Sequence, residues 1–161
     1  MTSAALTALA VLILDQLTKV WALQGLAPGR PVPVIDGFFS LTLVMNPGLA
    51  FGILASVPTG WRWVVALLSV VALVILVQVA LRILPRGGWP DHGGLGLIFG
   101  GAIGNLIDRA RFGAVVDFVD VHYRGWHWPA FNVADSAITV GAVLLILEGF
   151  VHHEGRARST S

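Results

Sequence analysis

The sequence contains no cysteine and few charged residues. The lack of cysteine excludes disulfides, thiolate metal sites and a cysteine nucleophile. Charged residues make up 12% of the chain, where a soluble domain carries about 25%, and 56% of the residues are hydrophobic. The net charge is +1 and the basic residues are scattered, so the chain lacks the basic stripe of a nucleic-acid binder and we expect no nucleic-acid partner. The composition predicts an integral membrane protein.

Four apolar stretches predict four transmembrane helices, at about residues 4–23, 62–84, 93–107 and 132–151. Residues 63–81 carry no charge and approach the roughly 20 residues that cross a bilayer. The first stretch is interrupted by Asp15 and Lys19 and lacks the basic start and cleavage site of a signal peptide, so we expect a retained helix. The third has glycines at intervals of four, which favour close helix packing: Gly96, Gly100 and Gly104.

Two of the links between these stretches have the alternating pattern of β-strands, at residues 36–46 and 114–123. As a strand, the second link places Asp117 and Asp120 on opposite faces. We therefore expect an all-α membrane protein with four transmembrane helices and a small extramembrane β-rich subdomain on the active-site side. Residues 1–153 are predicted to form a single domain, and residues 154–161 a disordered tail.

The polar residues of the predicted spans gather on one side of the membrane. Four successive spans alternate in direction, so the ends of spans one and three meet the start of span four. Ionisable groups at membrane depth cost about 2.5–3.5 kcal/mol each, which makes such a cluster a candidate site. The arginines are almost equally divided between the two sides and leave the orientation undecided. The clustered residues are Asp15, Lys19, Asn46, Asn105, Asp108, Arg109, Asp117, Asp120, Asn132 and Asp135.

Several aspartates without a cysteine or serine nucleophile indicate acid–base chemistry. Two adjacent carboxyl groups cannot both ionise cheaply, so one keeps its proton and the pair offers an acid and a base together. Such a pair activates water in aspartic peptidases. Asp117 and Asp135 lie on the two arms of a short link and can meet.

The same residues also allow purely structural interpretations. Asp15 and Lys19 are four residues apart in the first span and could neutralise each other. Asp108 and Arg109 could form an interfacial charge pair. Asp120, on a strand, could be solvated.

The fourth span and the histidines have structural interpretations as well. Asn132 and Asp135 are three residues apart and could cap the fourth span. His122 and His127 lack a third ligand in the sequence pattern, so we expect no metal site.

Five blocks of polar and small residues follow one another along the chain: Asp15–Lys19, Asn46–Gly52, Gly100–Arg109, Val115–Phe118 and Phe131–Ile138. In this order they resemble the blocks of the lipoprotein signal peptidases (signal peptidase II), bacterial membrane aspartic peptidases with four spans. One position departs from the family pattern, because Leu49 stands where a small residue is usual.

The resemblance implies specific roles for these residues. The family's catalytic aspartates correspond to Asp117 and Asp135, and its substrate-binding and supporting residues to Asp15, Lys19, Asn46, Asn105, Arg109 and Asn132. The implied activity is cleavage of a prolipoprotein just before its diacylglyceryl-modified cysteine, without a metal or organic cofactor. The implied location is the bacterial cytoplasmic membrane, with both termini cytoplasmic and the site near the outer face. We expect contacts with membrane lipids and a monomer.

A small proton- or ion-coupled transporter is the alternative function. In a transporter, Asp15, Asp117 and Asp135 would bind cations, and polar residues would continue to the opposite face. Beyond Gln78 and Glu148, the sequence offers no such path.

Overall fold

The computed structural model describes residues 2–48, 62–85 and 87–159. Residues 49–52 of the second block, including Leu49, lie outside this range. Over the described part of the chain the order of elements is α1 (Thr2–Gly25), β1 (Val32–Ile35), β2 (Phe39–Asn46), α2 (Arg62–Ile83), α3 (Trp89–Phe112), β3 (Val115–Tyr123), β4 (Trp126–His127) and α4 (Val133–Ser159).

Three of the four helices are long and apolar enough to cross a membrane. These segments are Thr2–Gly25, Trp63–Ile83 and Val133–Phe150, with mean hydropathies of 1.5, 3.0 and 1.8. Their large apolar side chains point outward, as Leu17 and Leu81 do, which is the arrangement expected of surfaces in contact with lipid rather than water. The chain is therefore a mostly helical membrane protein. The predicted span at 93–107 lies within α3, which is long enough but is not among the helices that meet the hydropathy and charge criteria for a span.

α3 lies at the centre of the bundle, between α1 and α4, and α2 packs against it. A Cβ atom at Gly96 would stand 2.6 Å from the Ala4 carbonyl oxygen, and one at Gly100 would stand 2.6 Å from that of Ala8. Both contacts are too short for a side chain, so the glycines let the two helix backbones touch. The predicted role of the spaced glycines in helix packing is confirmed, and their partner is α1.

The strands form one antiparallel sheet in the order β1-β2-β3-β4. The two predicted strands are confirmed with slightly shifted ends, as β2 and β3. In their register Ser40 pairs with Asp120 and Val44 with Asp117, with an irregularity between Leu41 and Val44. The sheet joins the end of α3 to the start of α4, so it covers one end of the bundle.

α4 continues to Ser159 and so enters the segment 154–161 that the sequence predicts to be a disordered tail. The helical backbone differs from that expectation at residues 154–159. The division into one domain over residues 1–153 and a tail stays a prediction.

Candidate active site

Asp117 lies on β3, three residues into the strand, and is 1% exposed. Gly113 follows the last residue of α3 and has a φ of 68°. In this conformation its N–H donates to the Arg109 carbonyl oxygen and so caps the helix. This sharp end turns the chain into β3 and directs Asp117 toward the bundle. Its carboxyl accepts hydrogen bonds from Nδ2 of Asn46 at 2.9 Å and from Nδ2 of Asn132 at 2.7 Å.

Asp135 lies in the first turn of α4. Its Oδ1 accepts a hydrogen bond from Nδ2 of Asn105 at 2.8 Å, and its Oδ2 accepts one from the backbone N–H of Asn132 at 3.3 Å. The Asp135 N–H in turn donates to Oδ1 of Asn132 at 2.9 Å. These reciprocal bonds cap the helix, so the capping interpretation is confirmed. The same bonds also fix the direction of the Asp135 carboxyl.

Asn132 connects the two aspartates. Its side-chain amide donates to Asp117 and its backbone N–H donates to Asp135. The pKa of Asp117 is raised to about 7, chiefly by burial and also by repulsion from Asp135, while Asn46, Asn132 and Lys19 act in the opposite direction. Asp117 therefore holds a proton below about pH 7, next to a second carboxyl.

Lys19 binds two further carboxyl groups near Asp117 and Asp135. Its Nζ lies 2.9 Å from Oδ2 of Asp15 and 2.8 Å from Oδ2 of Asp108, and all three side chains are at most 2% exposed. The predicted pairing of Asp15 with Lys19 is confirmed. The interpretation of Asp108 and Arg109 as an interfacial pair is wrong, because Asp108 is buried and Lys19 is the cation that it contacts.

The Lys19 ammonium reaches Asp135 through one amide. Nζ of Lys19 donates to Oδ1 of Asn105 at 2.8 Å, and Nδ2 of the same amide donates to Asp135. Asp15 reaches the same place from α1, since its Oδ1 accepts the Ala134 N–H at 3.0 Å. These polar contacts join α1, α3 and α4 at the first turn of α4, where Asp135 lies.

Arg109 approaches the site from the end of α3. Its Nη2 donates to the Gly48 carbonyl oxygen at 2.8 Å, and Nη1 donates to that of Asn105 at 3.3 Å. Gly48 is also held by Asn46, whose Oδ1 accepts its N–H at 2.9 Å. Arg109 therefore positions the chain that follows β2 beside the Asp117 carboxyl.

The structure brings together all eight residues that the resemblance implies, and adds Gln16 and Asp108. Asp108 belongs to the polar cluster predicted from the sequence, but the resemblance gave it no role. Asp108 accepts the Val116 N–H at 3.1 Å and so ties α3 to β3 next to Asp117. Gln16 donates to Asp15 and to Asp108. The available signal for Asp108 was its position three residues after Asn105, which places both on one face of α3.

The surroundings of Asp120, His122 and His127 also differ from those expected from the sequence. Asp120 is buried rather than solvated, and it accepts a hydrogen bond from Nδ1 of His127 at 2.9 Å. It also lies beside His122. The two histidines therefore have the third partner that the sequence pattern did not reveal.

A cavity of about 260 Å³ opens beside Asp135. Its walls combine aromatic side chains from the link before α4 with one face of α4 itself. The lining residues are Trp128, Phe131, Asp135, Ser136, Thr139 and Val140.

Fold and site together define a mostly helical membrane protein in which three helices and a small antiparallel sheet bring together two carboxyl groups that are bound by amides. A family model described as Signal peptidase (SPase) II matches residues 7–151. The chain therefore belongs to the signal peptidase II family, and the family predicted from the sequence blocks is confirmed.

Individual proteins agree with this assignment. The chain is 47% identical over 140 residues to a lipoprotein signal peptidase of Polynucleobacter necessarius, covering 86% of this chain and 83% of that protein. It is 48% identical over 149 residues to one of Paraburkholderia phytofirmans, covering 88% and 80%. A solved bacterial membrane enzyme superposes with a TM-score of 0.75 at 31% identity, over 96% of this chain and 92% of that one. A second superposes with a TM-score of 0.72 at 32% identity, over 92% of each chain.

Proposed function

We propose that this chain is a membrane aspartic endopeptidase that removes the signal peptide from diacylglyceryl-modified prolipoproteins, cleaving before the lipidated cysteine. The observation that carries the proposal is the linkage of the buried Asp117 to the half-buried Asp135 through Asn132, in a member of the signal peptidase II family. The transporter alternative has no support from these relatives, which are named lipoprotein signal peptidases.

In this mechanism Asp117 and Asp135 share one proton. The ionised carboxyl takes a proton from water, and the water oxygen attacks the scissile carbonyl carbon. The protonated carboxyl hydrogen-bonds to the carbonyl oxygen as negative charge develops there. The tetrahedral intermediate then collapses with cleavage of the C–N bond, and a proton from the pair passes to the leaving amine. The raised pKa of Asp117 supports the presence of a proton on the pair near neutral pH.

The surrounding amides act as positioning groups. Asn46 and Asn105 each hold one carboxyl, and Asn132 holds both. Because neutral amides do not supply a full charge, they orient the carboxyls without fixing both as anions. Lys19 in turn holds Asn105, since its Nζ donates to Oδ1 of the amide that binds Asp135.

The cavity beside Asp135 supports a substrate that carries acyl chains. Its walls include Trp128, Phe131 and Val140, and Val140 is half exposed on a helix that is apolar enough to span a membrane. An acyl chain lying along α4 would therefore stay in apolar surroundings while the scissile bond reaches Asp135. Membrane lipids would occupy the same surface between turnovers.

We extend the proposal to topology and location. α3 has 24 residues, is long enough to act as the fourth span, and follows α2 after a short link. Four spans place both termini on one side, which we assign to the cytoplasm, and place the sheet and the aspartates at the outer face of the bacterial cytoplasmic membrane. The functional unit is a monomer formed by the single domain 1–153.

The test is cleavage of a lipidated prolipoprotein by the purified chain in detergent, followed as a mobility shift on a gel. The wild type should release the signal peptide, and Asp135→Asn should not, because an amide keeps the shape of the carboxyl but cannot exchange the proton. Asp36→Asn, on the exposed turn between β1 and β2, is the matched control and should cleave normally. Cleavage by Asp135→Asn at the control rate, or no cleavage by wild type, would refute the proposal.

A further inference from the structure

A second group of chemically active side chains lies on the β3–β4 hairpin, on the other face of β3 from Asp117. Asp120 and His122 are two residues apart on β3 and share a face. The hairpin turns at Arg124 and Gly125, with φ of 49° and 82°, and this turn places His127 directly opposite His122. Strand register therefore brings three potential metal ligands together.

The atoms of this group are close enough to surround one ion. Nδ1 of His127 lies 2.9 Å and 3.1 Å from the two carboxylate oxygens of Asp120, and Nδ1 of His122 lies 3.5 Å from Oδ2. The two imidazole rings are stacked, with centroids 4.9 Å apart. One potential ligand atom from each residue lies within 4.8 Å of the others. Tetrahedral Zn²⁺ with bonds of about 2.1 Å holds its ligand atoms about 3.4 Å apart, so small side-chain rotations suffice.

One nitrogen of the group lacks a hydrogen-bond partner. Nδ1 of His122 is buried and forms no hydrogen bond with any of the described residues, although it lies 3.5 Å from Oδ2 of Asp120. An unsatisfied buried nitrogen is costly, and coordination of a metal ion would satisfy it. The His127 side chain, in contrast, is 57% exposed. An ion could therefore enter from the solvent and keep water as a further ligand.

We propose that Asp120, His122 and His127 bind a divalent transition-metal ion, with Zn²⁺ as the ion that the ligand set suits. Imidazole nitrogens and one carboxylate are typical zinc ligands, and a site open on one side retains water. The sequence-based expectation of no metal site rested on a missing third ligand, and Asp120 supplies it. The ion would link β3 to β4 and stabilise the hairpin that carries Asp117. The proposal is independent of the peptidase activity.

The experiment is calorimetric titration of ZnCl₂ into the purified full-length chain, prepared with a tag that contains no histidine. His152→Gln/His153→Gln is the background variant, because it removes the neighbouring pair of histidines near the end of the chain. We expect one Zn²⁺ per chain and a rise in melting temperature on binding. His127→Gln and His122→Gln in this background should each weaken binding by more than about 100-fold, since the loss of a group that only hydrogen-bonds to a metal ligand already weakens metal sites by about 10–100-fold.

Two further measurements keep the result interpretable. His92→Gln is the matched control, because His92 lies on α3 and bonds to the Gly88 carbonyl oxygen; it should bind Zn²⁺ like the background. X-ray absorption of the Zn²⁺-loaded background chain needs no ligand variant and should show two imidazole neighbours with oxygen ligands. Absence of stoichiometric binding, binding unchanged in His122→Gln and His127→Gln, or a zinc environment without imidazole would each overturn the proposal and leave a hydrogen-bonded Asp–His cluster only.

Discussion

The two faces of β3 place an aspartate in opposite chemical settings. Asp117 faces the helices and is bound by the neutral amides of Asn46 and Asn132, whereas Asp120 faces imidazoles that can carry charge or bind a metal. Both are buried. Burial alone therefore does not distinguish the carboxyl proposed to be catalytic from the carboxyl beside the imidazoles. Their hydrogen-bonding neighbours distinguish them, because neutral side-chain amides hold Asp117, whereas an imidazole nitrogen binds Asp120.

Loss of Lys19 should have the largest effect on the face that carries Asp117. Lys19→Met leaves Asp15 and Asp108 buried without their shared cation, and breaking a buried ion pair costs about 3–5 kcal/mol. We expect a large drop in melting temperature in detergent. Adding Asp108→Asn to this variant should recover part of the loss, and equal melting of wild type and Lys19→Met would contradict the arrangement.

The pKa of Asp117 predicts a stability effect with an unusual sign. Its pKa is 3.8 in the unfolded reference and about 7 in the fold, so between these values the folded state holds a proton that the unfolded state has released. Stability therefore falls as pH rises from about 4 to about 7, by up to about 4 kcal/mol from this group. Asp117→Asn should remove this loss and melt higher than wild type at pH 8 but not at pH 4. If the difference in melting temperature between Asp117→Asn and wild type were the same at pH 4 and pH 8, the raised pKa would be contradicted.

Asn132 should matter chiefly for activity. Asn132→Ala removes the side-chain hydrogen bonds to the Asp117 carboxyl and from the Asp135 N–H, while the hydrogen bond from the Asn132 backbone N–H to the Asp135 carboxyl remains. Misplacement of a catalytic group by about 1 Å can cost about 100-fold in rate, and we expect a reduction of that size in single-turnover cleavage. Gln78→Ala, which removes an exposed amide on α2, should cleave at the wild-type rate. A rate within twofold of that control would mean that Asn132 does not position the pair.

The smallest effect is expected on the face that carries Asp120. His127→Ala removes a hydrogen bond to Asp120 from a half-exposed side chain, and one such bond contributes about 1 kcal/mol. We therefore expect a slight decrease in melting temperature in the presence of chelator. A decrease as large as that of Lys19→Met would show that the two faces do not differ in the way described.

The helices and central strands were predictable because their causes are local. Apolar runs of sufficient length predict α1, α2 and α4, and alternation predicts β2 and β3. The two outer strands were missed. β1 is a short, exposed edge strand that includes Pro33, a residue tolerated at sheet edges. β4 has only two residues, Trp126–His127, too few to show a period.

The site was predictable through its sequence blocks, but its connections were not. The pairing of Lys19 with Asp108 joins α1 to α3 and follows from helix packing rather than from any local spacing. The meeting of His127 with Asp120 likewise depends on hairpin register, which a turn of Arg124 and Gly125 sets. The sequence therefore indicated which residues come together at the candidate site, while the tertiary structure determined how each of them is held.

The most direct test of the account is the single-turnover rate at which Asp117→Asn cleaves a lipidated prolipoprotein. Asp36→Asn, on the exposed turn between β1 and β2, is measured beside it. Because proton transfer by a positioned group contributes about 10²–10⁴-fold, we predict that Asp117→Asn is slower by at least about 100-fold while it stays folded, and that Asp36→Asn matches wild type. Cleavage by folded Asp117→Asn at a rate within threefold of Asp36→Asn would contradict the central claim that Asp117 takes part in the chemistry.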